Sequence, residues 1–243
     1  MNIFLSAYHE AIYRPLLNLL VWGYNSIPGH DVGLVIIAIT IAVRIALAPT
    51  MHKQLKSQSA MAKLQPKLEE IKAQHKDNKE AQSRAIMELY REHKVNPLGS
   101  CLPLLVQLPI LIALYQVFNT ALNGNLNGLY HIVSNPGSIN PYFLGFMNLA
   151  KPSMVLAVLA GVLQFWQSRL MQSQNKIKPT DATTKAIQWQ TTYFLPLFSV
   201  FIAWNLPAGL PLYWVVTTLF AVAQQYYIMR QPGSKNDELE IKR

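Results

Sequence analysis

The chain has 243 residues, of which 51% are hydrophobic and 14% are charged, and its mean hydropathy is +0.16. Charged residues make up about a quarter of a typical soluble domain, so this composition excludes an ordinary soluble protein and predicts an all-α membrane protein. The formal net charge is +9, and the single cysteine, Cys101, excludes an internal disulfide.

Residues 1–29 form the first predicted element, an amphipathic helix that lies in the membrane interface. Ile12, Leu16, Leu19 and Leu20 recur at helical spacing, and aromatic residues surround them, as in interfacial helices. The segment lacks the basic start of a signal peptide, and charged residues interrupt its apolar run. A sixth, degenerate span is the alternative interpretation of this segment.

Five apolar stretches within residues 30–230 have the length and composition of membrane-spanning helices. They are 32–48, 101–122, 153–171, 191–206 and 210–229. The first and fourth contain about 16 or 17 residues and cover only about 24 to 26 Å of a hydrocarbon core about 30 Å thick. Such short spans predict local thinning of the bilayer or partial enclosure by protein. Cys101, at the start of the second stretch, is expected to be a small buried hydrophobe.

Residues 52–94 carry most of the charge and are predicted to form a helical hairpin on the cytoplasmic side. Apolar residues recur at helical spacing in two arms, which a polar turn at 75–79 separates. Pro66 should kink the first arm, because a proline removes a backbone hydrogen bond inside a helix. Ten basic and six acidic residues suit a solvated helix pair above anionic headgroups, a contact surface for a cytoplasmic partner, or both.

Arg44 lies inside the first span, in the run IAITIAVRIALAP, where a charge costs at least a few kcal/mol. No Asp or Glu occurs in the five stretches to neutralise it. Arg44 therefore either extends toward the inner headgroups or faces a water-containing cavity inside the bundle. Other spans supply polar side chains for such a cavity. These are Gln107, Gln164, Gln167, Thr191, Thr192, Gln224 and Gln225.

The distribution of basic residues predicts the orientation of the chain. With the N-terminus outside, 18 of the 21 Lys and Arg residues lie on the cytoplasmic side: ten in 52–94, four in 169–185 and four from 230 onward. The positive-inside rule thus favours an outer N-terminus and a cytoplasmic tail at 231–243. Since topology accounts for the net charge, anionic lipids are expected as partners and a specific nucleic acid is not.

The sequence contains no phosphate-binding glycine loop, no zinc-protease motif and no Cys/His cluster. The protein is therefore predicted not to be an enzyme, and no catalytic residue, cofactor or metal is assigned. A small-solute channel or transporter is one alternative, although the internal repeat typical of transporters is not evident. A non-catalytic scaffold for membrane assembly is the other.

Several long motifs occur in one order along the chain. They are VNPLGSCLPLLVQLPILIALYQVF at 95–118, the pair Arg44 and Pro49 in the first span, LQPKLEEIK in the hairpin, and LPAGLPLYW between the last two spans. Together they closely resemble the YidC family of membrane protein insertases, which includes the mitochondrial oxidase-assembly and chloroplast Albino homologues. The resemblance covers residues 30 to about 230.

The resemblance implies an insertase of the bacterial plasma membrane, with a five-span core and a hydrophilic groove that opens to the cytoplasm and the lipid. It implies nascent membrane proteins as clients and insertion without nucleotide hydrolysis. Whether a Sec translocon or the ribosome is a further partner stays open. The groove residues that it implies are Arg44, Gln107, either Trp204 or Asn205, Tyr213 and Trp214.

Overall fold

The computed structural model describes residues 3–96, 102–173 and 182–229, and within them the chain is mostly helical. The helices are α1 (Ile3–Tyr8), α2 (Arg14–Ser26), α3 (Val32–Lys63), α4 (Gln65–Gln74), α5 (Lys79–Glu92), α6 (Leu102–Ala121), α7 (Met154–Ser173), α8 (Ala182–Trp189), α9 (Leu195–Trp204) and α10 (Gly209–Met229). Two short strands, β1 (Tyr142–Phe143) and β2 (Met147–Asn148), pair antiparallel between α6 and α7. Cys101 and the tail predicted at 231–243 lie outside the described residues.

Two stretches of helix in the described residues are long and apolar enough to cross a membrane. They are Val32–Thr50 in α3, with 19 residues, and Met154–Ser173, which is α7, with 20 residues. Together with the composition, they agree with the prediction of an all-α membrane protein. The count of five spans stays a prediction.

Helix α3 is longer than the apolar stretch at 32–48. It runs for 32 residues from Val32 to Lys63 and contains Pro49, so the first span and the start of the predicted hairpin are one helix. The apolar part of α3 ends at Thr50, close to the predicted end of the first span, and the bounds of the hairpin at 52–94 stay a prediction. The whole helix is about 48 Å long, but only its apolar part, Val32–Thr50, suits the hydrocarbon core, so thinning of the bilayer around the first span stays a prediction. The fourth stretch likewise belongs to a longer helical segment, 182–204.

Two five-residue π-helical segments, His9–Tyr13 and Gln190–Phe194, join α1 to α2 and α8 to α9. Each segment is followed, two residues after its end, by a proline: Pro15 and Pro196. Because proline has no backbone N–H, the regular α-helical bond is missing there and the preceding turn widens. In both segments the residue after the last π-helical residue donates its N–H to a carbonyl five residues earlier. Arg14 donates to His9, and Leu195 donates to Gln190.

Helices α4 and α5 pack together as a pair through buried Leu64, Leu68 and Leu89. Helix α3 ends just before Leu64, and Pro66 occupies the first turn of α4, where its missing N–H leaves no helical bond unmade. The chain turns at 75–78, and the side chain of Asn78 caps α5 by accepting the N–H of Ala81 at 3.0 Å. The helix break lies at Leu64, two residues before Pro66, and the cytoplasmic position of this pair stays a prediction.

The chain divides into two compact units. The first comprises Met1–Ala46, Leu104–Gln164 and Pro196–Phe220, and the second comprises Leu47–Pro103, Phe165–Leu195 and Ala221–Arg243. The core of the first unit includes Leu17, Leu20 and Val21 of α2, which are at most 2% exposed. Leu19, which belongs to the predicted apolar stripe, and Trp22 lie on the other side of α2 and stay exposed. The place of α2 in the membrane interface stays a prediction.

Asn18 joins α2 to the long connection between α6 and α7. Its amide donates to the carbonyls of Arg14 at 2.8 Å and Gly128 at 3.2 Å, and its oxygen accepts the N–H of Tyr130 at 2.6 Å. The side chain is only 4% exposed, so all three bonds lie inside protein. Asn18 therefore fixes α2 to a loop that follows it by more than 100 residues.

Asp31 starts α3 and also holds the turn between β1 and β2. One carboxylate oxygen accepts the N–H groups of Gly33 at 2.8 Å and Leu34 at 3.1 Å, which is the usual arrangement of a helix N-cap. The other oxygen accepts the N–H of Leu144 at 2.6 Å, a residue with a φ of 50°. A side chain at Gly33 would collide with Phe143, so the start of α3 lies directly against this turn.

Candidate functional site

Three polar side chains from three helices meet inside the first unit. Arg44 of α3 donates from its guanidinium to the side-chain oxygen of Gln107 on α6 at 3.3 Å. The amide nitrogen of Gln107 donates to the hydroxyl of Tyr213 on α10. Arg44 and Gln107 are half-buried, and Tyr213 is buried. We call Arg44, Gln107 and Tyr213 the polar cluster.

Close contact between helices explains how Tyr213 comes to face Gln107. Helix α10 begins at Gly209, where a Cβ atom would lie 3.2 Å from the ring of Phe118 on α6 and 3.5 Å from Ile36 on α3. The three helices therefore approach each other near the start of α10. Tyr213 follows Gly209 by four residues, about one helical turn, and so projects from the same face.

The positive charge of Arg44 has no carboxylate partner in the described part of the chain. None of the ion pairs there includes Arg44, and the acidic residue nearest in sequence, Asp31, lies 13 residues earlier on the same helix, or about 20 Å away along its axis. The partner that Arg44 does have, Gln107, is neutral. The amide satisfies one donor of the guanidinium and leaves its charge uncompensated.

An apolar cavity lies on one side of the polar cluster. Its walls come from α3 before Arg44, from α6 after Gln107, from α2 and from Tyr213. The lining residues are Leu16, Leu20, Ile36, Ile39, Thr40, Val43, Ile110, Leu114, Val117, Phe118 and Tyr213. The surroundings of α3 therefore change from polar at Arg44 to apolar toward the N-terminus of the helix.

The other predicted groove residues do not join the polar cluster. Trp204 ends α9 and is 49% exposed, and the neighbouring Asn205 donates to the carbonyl of Phe201 at 2.8 Å. Trp214 packs against a small apolar group that includes Leu163 and Val215. The structure therefore brings together Arg44, Gln107 and Tyr213 and leaves Trp204, Asn205 and Trp214 at separate places.

Several polar side chains predicted to line a cavity bond elsewhere. Gln224 donates to the carbonyl of Ala48 at 3.1 Å, and Thr192 accepts a bond from Gln172. Sequence reasoning also missed Thr217, which is 8% exposed and whose hydroxyl has no hydrogen-bond partner in the described residues. Its spacing of four residues from Tyr213 was the available signal, because such residues share a helix face.

Comparison with known proteins places these features in a family. Residues 23–235 match the family described as 60Kd inner membrane protein. The chain is 40% identical over 224 residues to the membrane protein insertase YidC of Fusobacterium nucleatum subsp. nucleatum, a match that covers 90% of this chain and 98% of that protein.

Other relatives are longer than this chain. It is 37% identical over 221 residues to the membrane protein insertase YidC of Geotalea daltonii and 36% identical over 220 residues to that of Magnetococcus marinus. These matches cover 90% of this chain but only 37% and 35% of the two relatives. The chain therefore belongs to the 60Kd inner membrane protein family, the family of the bacterial YidC insertases.

Proposed function

We propose that this chain is a bacterial membrane protein insertase, which helps nascent membrane proteins to enter the bilayer and fold there, without nucleotide hydrolysis. Its relatives named as insertases support the class of activity. The observation that carries the mechanism is the bond from Arg44 to the neutral Gln107, because it keeps a positive charge at membrane depth without a carboxylate.

The proposed topology has five spans, with the N-terminus outside and the C-terminus in the cytoplasm. The spans are α3 in its apolar part, α6, α7, the segment 182–204 in its apolar part, and α10. Support comes from the basic residues, since 18 of 21 then lie on the cytoplasmic side, and from the four-residue connection between α9 and α10, which suits an outer turn. The α4–α5 pair then lies in the cytoplasm.

In the proposed mechanism, Arg44 attracts the polar or acidic outer segment of a client into a hydrated groove at the polar cluster. Gln107 and Tyr213 orient the guanidinium before a client binds. They then form hydrogen bonds with the client when it enters the groove. A membrane potential helps acidic segments outward by about 2.3 kcal/mol per charge per 100 mV. Transfer of the apolar segment of the client into lipid then completes insertion.

The remaining predicted residues take a secondary part in this proposal. Either Trp204 or Asn205, together with Trp214, contacts clients away from the polar cluster. A Sec translocon and the ribosome are proposed as further partners, and the α4–α5 pair offers them a charged surface with ten basic residues in 52–94. Anionic lipids are proposed as partners of the same basic block.

The test replaces the host insertase by variants of this chain and follows insertion of single-span clients with acidic outer segments. Arg44→Ala should lose insertion of these clients, and Arg44→Lys should separate the need for charge from the need for a guanidinium. Lys151→Ala is the matched control, because it removes one exposed cation outside the spans. Full insertion of every client by Arg44→Ala would overturn the mechanism.

Topology is tested separately, in a Cys101→Ser background. A cysteine placed at Asn127, in the α6–α7 connection, should react with an impermeant thiol reagent added outside the cell. A cysteine placed at Asp77, in the α4–α5 turn, should react only after the membrane is opened. Labelling of both from the outside would refute the proposed orientation.

A further inference from the structure

In the second unit, polar bonds fix the last turns of α7 against α8 and the π-helical segment. The amide of Gln172 donates to the hydroxyl of Thr192, which is 1% exposed, and to the carbonyl of Gln188 at 3.5 Å. The hydroxyl of Ser168 donates to the carbonyl of Thr191 at 3.3 Å. The two segments therefore run antiparallel, with the residues around 168 opposite those around 191.

Three aromatic rings form a row on the surface of this helix pair. The ring centroids of Phe165 and Tyr193 lie 5.8 Å apart, and those of Tyr193 and Trp189 lie 6.2 Å apart. All three side chains are exposed, from 38% for Phe165 to 61% for Trp189. Tyrosine and tryptophan in such places have a polar atom for the headgroup region and a ring for the hydrocarbon.

Two cations belong to the same two helix faces as the rings. Arg169 follows Phe165 by four residues on α7, and Lys185 precedes Trp189 by four residues on α8. Because the helices are antiparallel, both cations lie toward the same end of the aromatic row. Both side chains are exposed, and neither forms an ion pair with another described residue.

The charged residues in this region are almost all basic. The described ranges 102–173 and 182–229 contain no Asp or Glu. Residues 169–185 contain four cations and one acidic residue, Asp181, which lies outside the described residues. The local excess of positive charge favours an anionic ligand over a cationic or neutral one.

We propose that this face binds an anionic phospholipid of the cytoplasmic leaflet. The phosphate lies between Arg169 and Lys185, Trp189 lies at the level of the glycerol, and an acyl chain runs along Phe165 and Tyr193. The order from cations through tryptophan to phenylalanine matches the order from headgroup to hydrocarbon in a bilayer. The proposal depends on the proposed topology, which puts this end of α7 on the cytoplasmic side.

The test uses the fluorescence of Trp189 as the only tryptophan of the full chain. The other four, Trp22, Trp166, Trp204 and Trp214, are replaced by Phe, and the protein is reconstituted in phosphatidylcholine vesicles. Brominated phosphatidylglycerol should then reach half of its maximal quenching at roughly tenfold lower mole fraction than brominated phosphatidylcholine, as two cations near an anionic headgroup imply. Inorganic phosphate in the buffer should not reduce this preference.

Charge variants assign the preference to the named cations. Arg169→Gln with Lys185→Gln should abolish it, whereas Lys151→Gln, which removes one exposed cation from the proposed outer side, should preserve it. Mass spectrometry of phospholipid retained by the purified wild-type protein and by the same variants gives a second readout that needs no tryptophan replacement.

Three results would overturn the proposal: equal quenching by the two lipids, equal lipid preference with and without the two cations, or no quenching because protein covers Trp189. Competition by inorganic phosphate would identify a site for the free anion instead and would also overturn it. The signal requires no client, so failure of the insertase proposal in the Arg44 test leaves this result interpretable on its own.

Discussion

The guanidinium of Arg44 lies 3.3 Å from the side-chain oxygen of Gln107, and the two residues are 63 positions apart in the sequence. Gln107 also donates to Tyr213, so its amide is oriented from both ends. A carboxylate at this position would neutralise the arginine, whereas the amide holds it and leaves its charge in place. The arrangement suits a site whose charge must act on a passing client.

Replacement of Gln107 by Glu tests this interpretation, because the two side chains have almost the same shape and differ in charge. We expect insertion of clients with acidic outer segments to fall by roughly tenfold, because Arg44 would then form an ion pair and lose its attraction for them. Client insertion is measured by protease protection in reconstituted vesicles. Gln107→Leu serves as a comparison, since it removes the hydrogen bonds without adding a negative charge. Unchanged insertion by Gln107→Glu would contradict the idea that Arg44 acts through uncompensated charge.

Asn18→Ala should lower the free energy of unfolding by about 2 to 3 kcal/mol, because it leaves two carbonyls and one N–H without their buried partner. Chemical unfolding in mixed micelles gives the measurement. Asn25→Ala is the control, since Asn25 is less buried than Asn18 and donates one bond, to the carbonyl of Ser134 at 2.7 Å. Equal losses for the two variants would show that the attachment of α2 to the loop adds little stability.

Gly161→Ala should destabilise the first unit by about 1 to 3 kcal/mol through overpacking. A Cβ atom there would collide with the side chain of Val200 and lie 3.2 Å from the carbonyl of Pro196. Val200→Ala makes space, so the double variant should be more stable than the sum of the two single losses predicts. The thermal midpoint in detergent measures this. Strict additivity would mean that α7 and α9 do not touch at Gly161.

Thr217→Val should raise the free energy of unfolding by about 1 kcal/mol, because it removes a buried hydroxyl that lacks a partner in the described residues. The matched control is Thr40→Val, where the hydroxyl is also buried but donates to the carbonyl of Ile36 at 2.6 Å, so that variant should lose stability. Both are measured by unfolding in mixed micelles. A loss for Thr217→Val would show that its hydroxyl has a partner, such as a bound water.

The sequence alone was sufficient to predict those features that depend on local chemistry. Apolar length predicts the membrane helices, and the missing N–H of Pro66 predicts the break between α3 and α4. The charge of Arg44 inside an apolar run identified it as unusual before any partner was known. Gln107 is among the polar side chains that the residues alone suggest for a cavity with Arg44, and the resemblance to the YidC family adds Tyr213.

Features that depend on packing between distant parts of the chain are harder to predict from the sequence. The continuation of α3 from its apolar part into the charged segment does not follow from the hydropathy pattern, because a helix continues as long as its backbone bonds do. Whether Trp204 or Asn205 faces a client stays a prediction, because the three-dimensional position of a side chain does not follow from its place in a motif. The bonds of Asn18 join residues more than 100 positions apart, which no local pattern reveals.

The attachment of α2 through Asn18 has a consequence for the biogenesis of the protein itself. Gly128, whose carbonyl Asn18 binds, is synthesised 110 residues later, so at about 5 to 20 residues per second the ribosome takes about 5 to 20 s to supply it. During that time the part of their core that α6 and the following loop supply is missing for Leu17, Leu20 and Val21, and a bilayer surface is the nearest apolar phase for their uncovered sides. Helix α2 would thus begin as a surface helix and become a buried one only when translation has delivered its loop.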